Sequence, residues 1–144
     1  MRIAAAIAFL AGSLCLAACD NVDENFVIPF TRVGTFELQT ANGLALPAIL
    51  VDSVSPPLRI EAVSGNVVIN ADNTFSDAVL LRQTLGGVVT TQTVSCSGTF
   101  TVAGNVLTFS EVPDGNLCGE TFTGTLVGRT LTATIRDVVG VFQR

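Results

Sequence analysis

Between Val88 and Phe109 the chain alternates in character residue by residue, and that period of two leaves few folds open to it. The odd positions Thr91, Thr93, Ser95, Ser97, Thr99 and Thr101 form an unbroken polar face. The even positions Val88, Thr90, Gln92, Val94, Cys96, Gly98, Phe100 and Val102 form a mainly apolar one. Ala103, Gly104 and Asn105 then tolerate the positive φ of a tight hairpin turn, and Leu107 and Phe109 resume the apolar face against Val106, Thr108 and Ser110. The consequence is a half-buried β-hairpin. Its first arm, about a dozen residues, exceeds the usual strand of five or six, as the tilted strands of a barrel allow.

Pieces of this hairpin recur. Gly34, Thr35, Phe36 and Gly124, Thr125, Leu126 repeat its opening, and Ser64, Gly65, Asn66 and Val127, Gly128, Arg129 resemble its turn. A first strand is expected from Thr31 to Thr40, with Phe36 and Leu38 on one face, followed by a turn at Asn42 and Gly43. Ala48 to Val51 is a short apolar run that Ser55, Pro56 and Pro57 break. Arg59 to Val63 and Val67 to Asn70 read as two strands joined by a turn at Ser64 to Asn66. Ala71 to Asn73 turn the chain into Phe75 to Leu85, and Gly86 and Gly87 turn it again. Phe75, Val79 and Leu81 share a face with Asp77, which leaves two readings. A bulge or rim position that spares the carboxylate burial is preferred here, and an inward carboxylate is the alternative.

Phe122, Gly124 and Leu126 continue the inner face, as do Leu131, Ala133 and Ile135, with Thr130, Thr132, Thr134 and Arg136 outside. Gly98 and Gly124 lie on the apolar face, where a missing side chain permits sharp coiling. Val138 to Phe142 is apolar on both faces and is expected either to pack between neighbours or to close the barrel against the first strand. The fold class is therefore all-β: a small antiparallel up-and-down β-barrel of about eight main strands over residues 31–144, with a β-sandwich as the alternative. Phe36, Phe100, Leu107, Phe109, Phe122, Leu126, Leu131 and Ile135 are expected inside.

Composition narrows the chemistry. In 144 residues, 49% are hydrophobic and 13% charged, enough for the core of one domain. A net charge of −5 with no lysine argues against nucleic acid or an anionic membrane surface as partner. Histidine is absent, so neither a Ser-His nor a Cys-His nucleophile pair nor the usual zinc and iron ligand sets can be assembled. No phosphate loop or dinucleotide fingerprint occurs. The acidic residues fall mostly at turns or outward positions, which argues against a carboxylate acid–base pair. Asp72 with Asn73, and Asp114 with Gly115 and Asn116, are too sparse in oxygen ligands for calcium and read as turns. No catalytic residue, metal or cofactor is expected, and the chain is not expected to be an enzyme. Thr90 and Gln92, polar members of the inner face, are weak ligand-binding candidates. The preferred reading is that their strand has passed the rim and they meet water.

At the N-terminus Met1 and Arg2 precede an apolar stretch from Ile3 to Leu14, and Leu16, Ala17, Ala18 and Cys19 follow. Leu-Ala-Ala-Cys resembles the lipobox of bacterial lipoproteins. The resemblance implies a signal peptide over residues 1–18 and acylation of Cys19, palmitate included, with residues 19–30 as a flexible acidic tether. Lipidated Cys19 would hold the protein in a membrane of the bacterial cell envelope, inner or outer, since two or more acyl chains anchor stably. With Cys15 removed and Cys19 acylated in this way, Cys96 and Cys118 remain. Outside the cytoplasm they are expected to form a disulfide, which requires the loop from Glu111 to Gly119 to fold back.

A second resemblance covers residues 33–144. GTFELQTANGLALPA from Gly34 to Ala48, VVINADNTF from Val67 to Phe75, GTFTVAGNVLTF and GTLVGRTLTATI from Gly124 to Ile135 are similar to bacterial lipocalin-like domain proteins. It departs from them in carrying phenylalanine where tyrosine is frequent, and in the Cys96 and Cys118 pair. It implies a barrel that holds a small hydrophobic ligand. The alternative is a filled barrel that acts through its surface on a protein partner of unknown identity, in an inhibitor-like or assembly role. Interior volume separates the two.

Overall fold

Threonine- and valine-rich alternating segments, punctuated by glycine, asparagine and aspartate turns, fold as strands throughout. The computed structural model describes residues 32–144. Cys19, the segment 1–18 and the tether 19–30 lie outside the described residues. Within them the regular elements are β1 Gly34–Ala41, β2 Leu44–Ala45, β3 Ala48–Val54, β4 Pro57–Ile69, β5 Thr74–Leu85, β6 Val88–Ala103, β7 Val106–Glu111, β8 Thr121–Val127, β9 Thr130–Ile135 and β10 Val138–Gln143.

From β4 to β10 each strand pairs antiparallel with the next. The ring then closes through β1, which pairs with β10 from Glu37↔Gln143 to Ala41↔Gly140, and with β4 from Gly34↔Ile69 to Glu37↔Asn66. The result is a closed eight-stranded antiparallel barrel, with β2 and β3 as additions outside the ring. A closed ring leaves no long unpaired edge within the wall, which an open sandwich would. The last strand closes the barrel against the first, as expected.

The two ends of the barrel are filled differently. Phe36, Phe75, Phe100, Phe109 and Phe122 occupy one half, all at most 6% exposed. The Phe109 and Phe122 rings stack 4.8 Å apart, and Phe75 meets them edge-on at 4.9 and 5.9 Å. Such offset and edge contacts contribute beyond the area they bury. Arg144, with its guanidinium 5.7 Å from the Phe36 ring centroid, caps this end. At the other end several buried positions are small, among them Ala41, Ala48, Ala62 and Gly140, interspersed with larger side chains such as Leu38 and Phe142. That end stays open.

One expected turn is absent. Residues 57–69 form a single strand of 13 residues, and Ser64 to Asn66 lie inside it, beside a register shift between Ala62 and Ser64. Gly65 serves close packing instead: a Cβ there would lie 3.0 Å from the Ala78 carbonyl oxygen of β5. A turn-like triplet and a bulged, glycine-containing strand look alike in sequence because both need a residue without a side chain.

Gly98 marks the tightest approach in the wall, where β7 begins to pair with β6. A Cβ at Gly98 would run into the carbonyl of Ser110, whereas one at Gly104, in the β6–β7 turn at φ 64°, meets nothing within 4 Å. Gly98→Ala should therefore cost more than about 3 kcal/mol or abolish folding, because a backbone oxygen in a ladder cannot yield. Gly104→Ala should cost about 1 to 2 kcal/mol from the left-handed backbone alone. Urea unfolding midpoints compare them, and equal losses would refute the close approach.

Candidate functional site

At the open end a cavity of about 180 Å³ opens to solvent between β1, β5, β6 and β10. Its walls are apolar, with Leu38, Leu50, Val79, Leu81, Ile135 and Phe142 prominent. Asp77, Glu111 and Arg136 also line it. The small inward residues of this end create the space. The phenylalanine cluster bounds it from below, since Phe75 follows Asp77 two residues deeper on the same face.

Asp77 corrects the preferred reading of the sequence. The β5–β6 ladder runs in unbroken register from Thr74↔Thr99 to Leu85↔Val88, so no bulge in β5 turns the carboxylate away. The bulges fall in neighbouring strands, between Ala62 and Ser64 of β4 and between Ile49 and Val51 of β3. Asp77 consequently points inward and is 8% exposed, and among the described residues its Oδ1 has no hydrogen-bond partner. Burial pushes its pKa up to about 6, and the charge of Glu111 adds to the rise. Hydrogen bonds from backbone N–H groups and the charge of Arg136 oppose it only in part.

Two further acids are buried, and both are engaged, whereas Glu37, Asp52, Asp72, Asp114, Glu120 and Asp137 are exposed, as expected of most of the acidic residues. Glu61 meets Arg59 at 2.9 Å and Arg82 at 2.7 Å, and the Arg82 hydrogen bond foremost holds its carboxyl below the usual range. Glu111 follows Leu107 and Phe109 on the inner face of β7. Its Oε2 accepts the N–H groups of Gly119 at 2.8 Å and Glu120 at 3.1 Å. Arg136, expected on the outer face of a strand, instead opens the two-residue turn between β9 and β10. There Arg136 at φ 48° and Asp137 at φ 65° adopt the left-handed conformations that such hairpins need. From this turn its guanidinium lies 3.8 Å from Glu111 and 3.5 Å from Glu120. No glycine or asparagine marks this turn, so the residue order carries no visible signal for the role of Arg136.

The loop between β7 and β8 supports this arrangement. Cys96 and Cys118 are joined in a disulfide across 22 residues of chain, a closure that contributes about 3 kcal/mol in the loop-entropy description. The Val112 N–H donates to the Ser97 carbonyl at 2.8 Å, so the loop folds back over the edge of β6 that β7 leaves unpaired. Asp114 Oδ1 accepts from the N–H groups of Asn116 and Cys118, and Asp72 Oδ1 likewise accepts from Thr74. Both side chains therefore serve their own turns. Cys96, Cys118 and Glu111 present ligand-type atoms within 4.8 Å of one another, but the two sulfurs are bonded to each other and offer no thiolate. Thr90 and Gln92 are exposed on the stretch of β6 beyond the end of β7, outside the cavity. Gln92 borders a shallow polar depression that it shares with Asp114 and Asn116.

The raised pKa of Asp77 makes a signed prediction. Between about pH 4 and 6 the folded state holds a proton that the unfolded state lacks, so this residue's stabilising contribution is complete below about pH 4 and is lost as the pH rises through 6. Asp77→Asn should remove that dependence and raise stability at pH 7 by on the order of 1 kcal/mol, the linkage value being reduced by partial hydration. Urea unfolding at pH 4 and pH 7 measures it, and a variant less stable than the parent at pH 7 would contradict the assignment. Comparison of the chain with protein-family models, curated proteins and solved structures finds no match.

Proposed function

We propose that this protein is a lipid-anchored, lipocalin-like protein of a bacterial envelope that admits a small apolar group through the open end of its barrel and catalyses nothing. The observation that carries the binding part is the apolar cavity of about 180 Å³ beside a half-barrel packed solid with phenylalanine. A dry cavity of about 150 Å³ suffices for benzene, whereas pockets for whole drug-sized ligands begin near 300 Å³. The group admitted is therefore one ring or the end of a chain. The Leu-Ala-Ala-Cys motif at Leu16 to Cys19 supports the anchored part. Asp77 and Glu111 form an inward carboxyl pair of the kind that hydrolases use, but Glu111 is already held by two N–H groups and Arg136. A cavity of this size also leaves no room for a two-ring substrate.

A second reading, action through the surface, is favoured by one observation. The β3–β4 and β5–β6 hairpin tips meet through a hydrogen bond from Gly86 N–H to the Pro57 carbonyl. Near this junction Val54 is 94% exposed, Val88 65% and Val89 58%. Apolar groups gathered on a surface favour contact with a partner.

Two experiments decide. Cys19→Ser should release the protein from the membrane fraction or block its processing, and an unchanged membrane fraction would remove the anchored part. Toluene, followed by amide shifts in NMR, should perturb Leu38, Val79 and Phe142, and Ala62→Leu should weaken its binding at least about tenfold by filling the space. Toluene binding that Ala62→Leu leaves unchanged, or no binding at all, would favour the surface reading.

A further inference from the structure

We infer that the ligand of this cavity is a small primary amine with an apolar body and no carboxylate, its ammonium group donating to Asp77. The inference rests on the binding reading above and narrows it to a chemical class. Three features of the site carry it. Asp77 lines the cavity and is 8% exposed, yet its Oδ1 is the one buried side-chain oxygen or nitrogen among the described residues with no hydrogen-bond partner. Buried polar groups in folded proteins are almost always paired, so an orphan acceptor on a residue that lines the cavity marks a place for a donor. An ionised carboxylate accepts only, which requires the ligand to donate.

Charge decides which donor. Asp77 and Glu111 face a single guanidinium, that of Arg136, which also leans on Glu120 at 3.5 Å. The site therefore holds an excess of negative charge. A hydroxyl would fill the vacant hydrogen bond but leave the two carboxylates repelling each other, whereas an ammonium does both tasks. A guanidinium ligand fits less well, because its planar fork calls for two open acceptor oxygens and Asp77 leaves one unpartnered. A free amino acid is disfavoured by its own carboxylate, which would be brought up to Asp77 and Glu111.

Volume decides the body. About 180 Å³ bounded by Leu38, Val79, Leu81, Ile135 and Phe142 takes one aromatic ring or a short alkyl chain. Benzylamine matches both requirements. The remaining possibility, that water alone occupies Oδ1, gives the amine no advantage over an uncharged compound of the same shape.

The test uses the purified full chain with its disulfide intact, and NMR titration at pH 7.5 with benzylamine, benzyl alcohol, toluene and phenylacetate. Benzylamine is expected to bind at least tenfold more tightly than benzyl alcohol or toluene, phenylacetate not at all, and Asp77→Asn should bring benzylamine to the level of toluene. A second arm needs no variant. On lowering the pH from 7.5 to 5, Asp77 takes up a proton while the amine stays charged, so benzylamine should weaken about tenfold and toluene should not change. The groups that face Asp77 are Glu111 from β7 and Arg136 from the β9–β10 turn, with Glu120 behind Arg136. Among the described residues no charged group faces it from β1, β4, β6 or β10. Benzylamine no tighter than toluene, or indifferent both to Asp77→Asn and to acid, overturns the amine assignment while toluene binding leaves the apolar cavity standing. If neither toluene nor benzylamine binds, the binding reading itself falls.

Discussion

The barrel depends on β1 being shared between two neighbours. Its first residues, Gly34 to Glu37, pair with β4, and its later ones, Glu37 to Ala41, pair with β10. The strand thus crosses the seam obliquely, and the backbone groups along it are satisfied first on one side and then on the other. Past Glu37 β1 and β4 part, and β2 and β3 take up the exposed edges: Thr40 and Ala41 pair with β2, and Ala48 with Ala62 of β4. The insertion thereby covers strand edges that would otherwise be open to pairing with another chain. At that end Ala41 of β1 and Leu50 of β3 line the cavity.

From that seam follows the asymmetry of the interior. Where β1 and β4 are in direct contact, bulky rings interlock, with Phe109 against Phe75, Phe100 and Phe122. Where they part, small residues leave a cavity and a carboxyl group loses its water. A buried, incompletely paired Asp77 is a destabilising feature, and such a feature persists only where the surrounding structure imposes it. Here a continuous β5–β6 ladder fixes the direction of the side chain, and the disulfide-braced loop keeps Glu111 and its N–H partners in place. The tightly packed half and the crosslink together tolerate what the open half costs.

Much of the fold was legible in residue order. The period of two identified the strands, and Phe36, Phe100, Leu107, Phe109, Phe122, Leu126 and Leu131 are buried as their parity requires. Turns at Asn42, Asn73, Gly86 and Gly104 lie where residues that tolerate positive φ occur. The cysteine pair is bonded, because the loop after β7 folds back along β6 and brings Cys118 to Cys96. These are local properties: side-chain alternation and turn conformation are decided within a few residues.

The site was less legible, because it depends on relations between strands. Whether Asp77 faces in or out is a question of register, and the compensating bulges sit in β3 and β4, distant in sequence from the aspartate. Glu111 shared the parity of Leu107 and Phe109, a signal that the general exposure of carboxylates outweighed. Arg136 occupies a turn without glycine, whose left-handed backbone the pairing of β9 with β10 enforces. The sequence by itself determined the strands, most turns and the identity of the core. Tertiary structure alone decided that the barrel closes with one end packed and the other hollow, and that an aspartate stands at the hollow end, since closure couples the register of every strand to its neighbours.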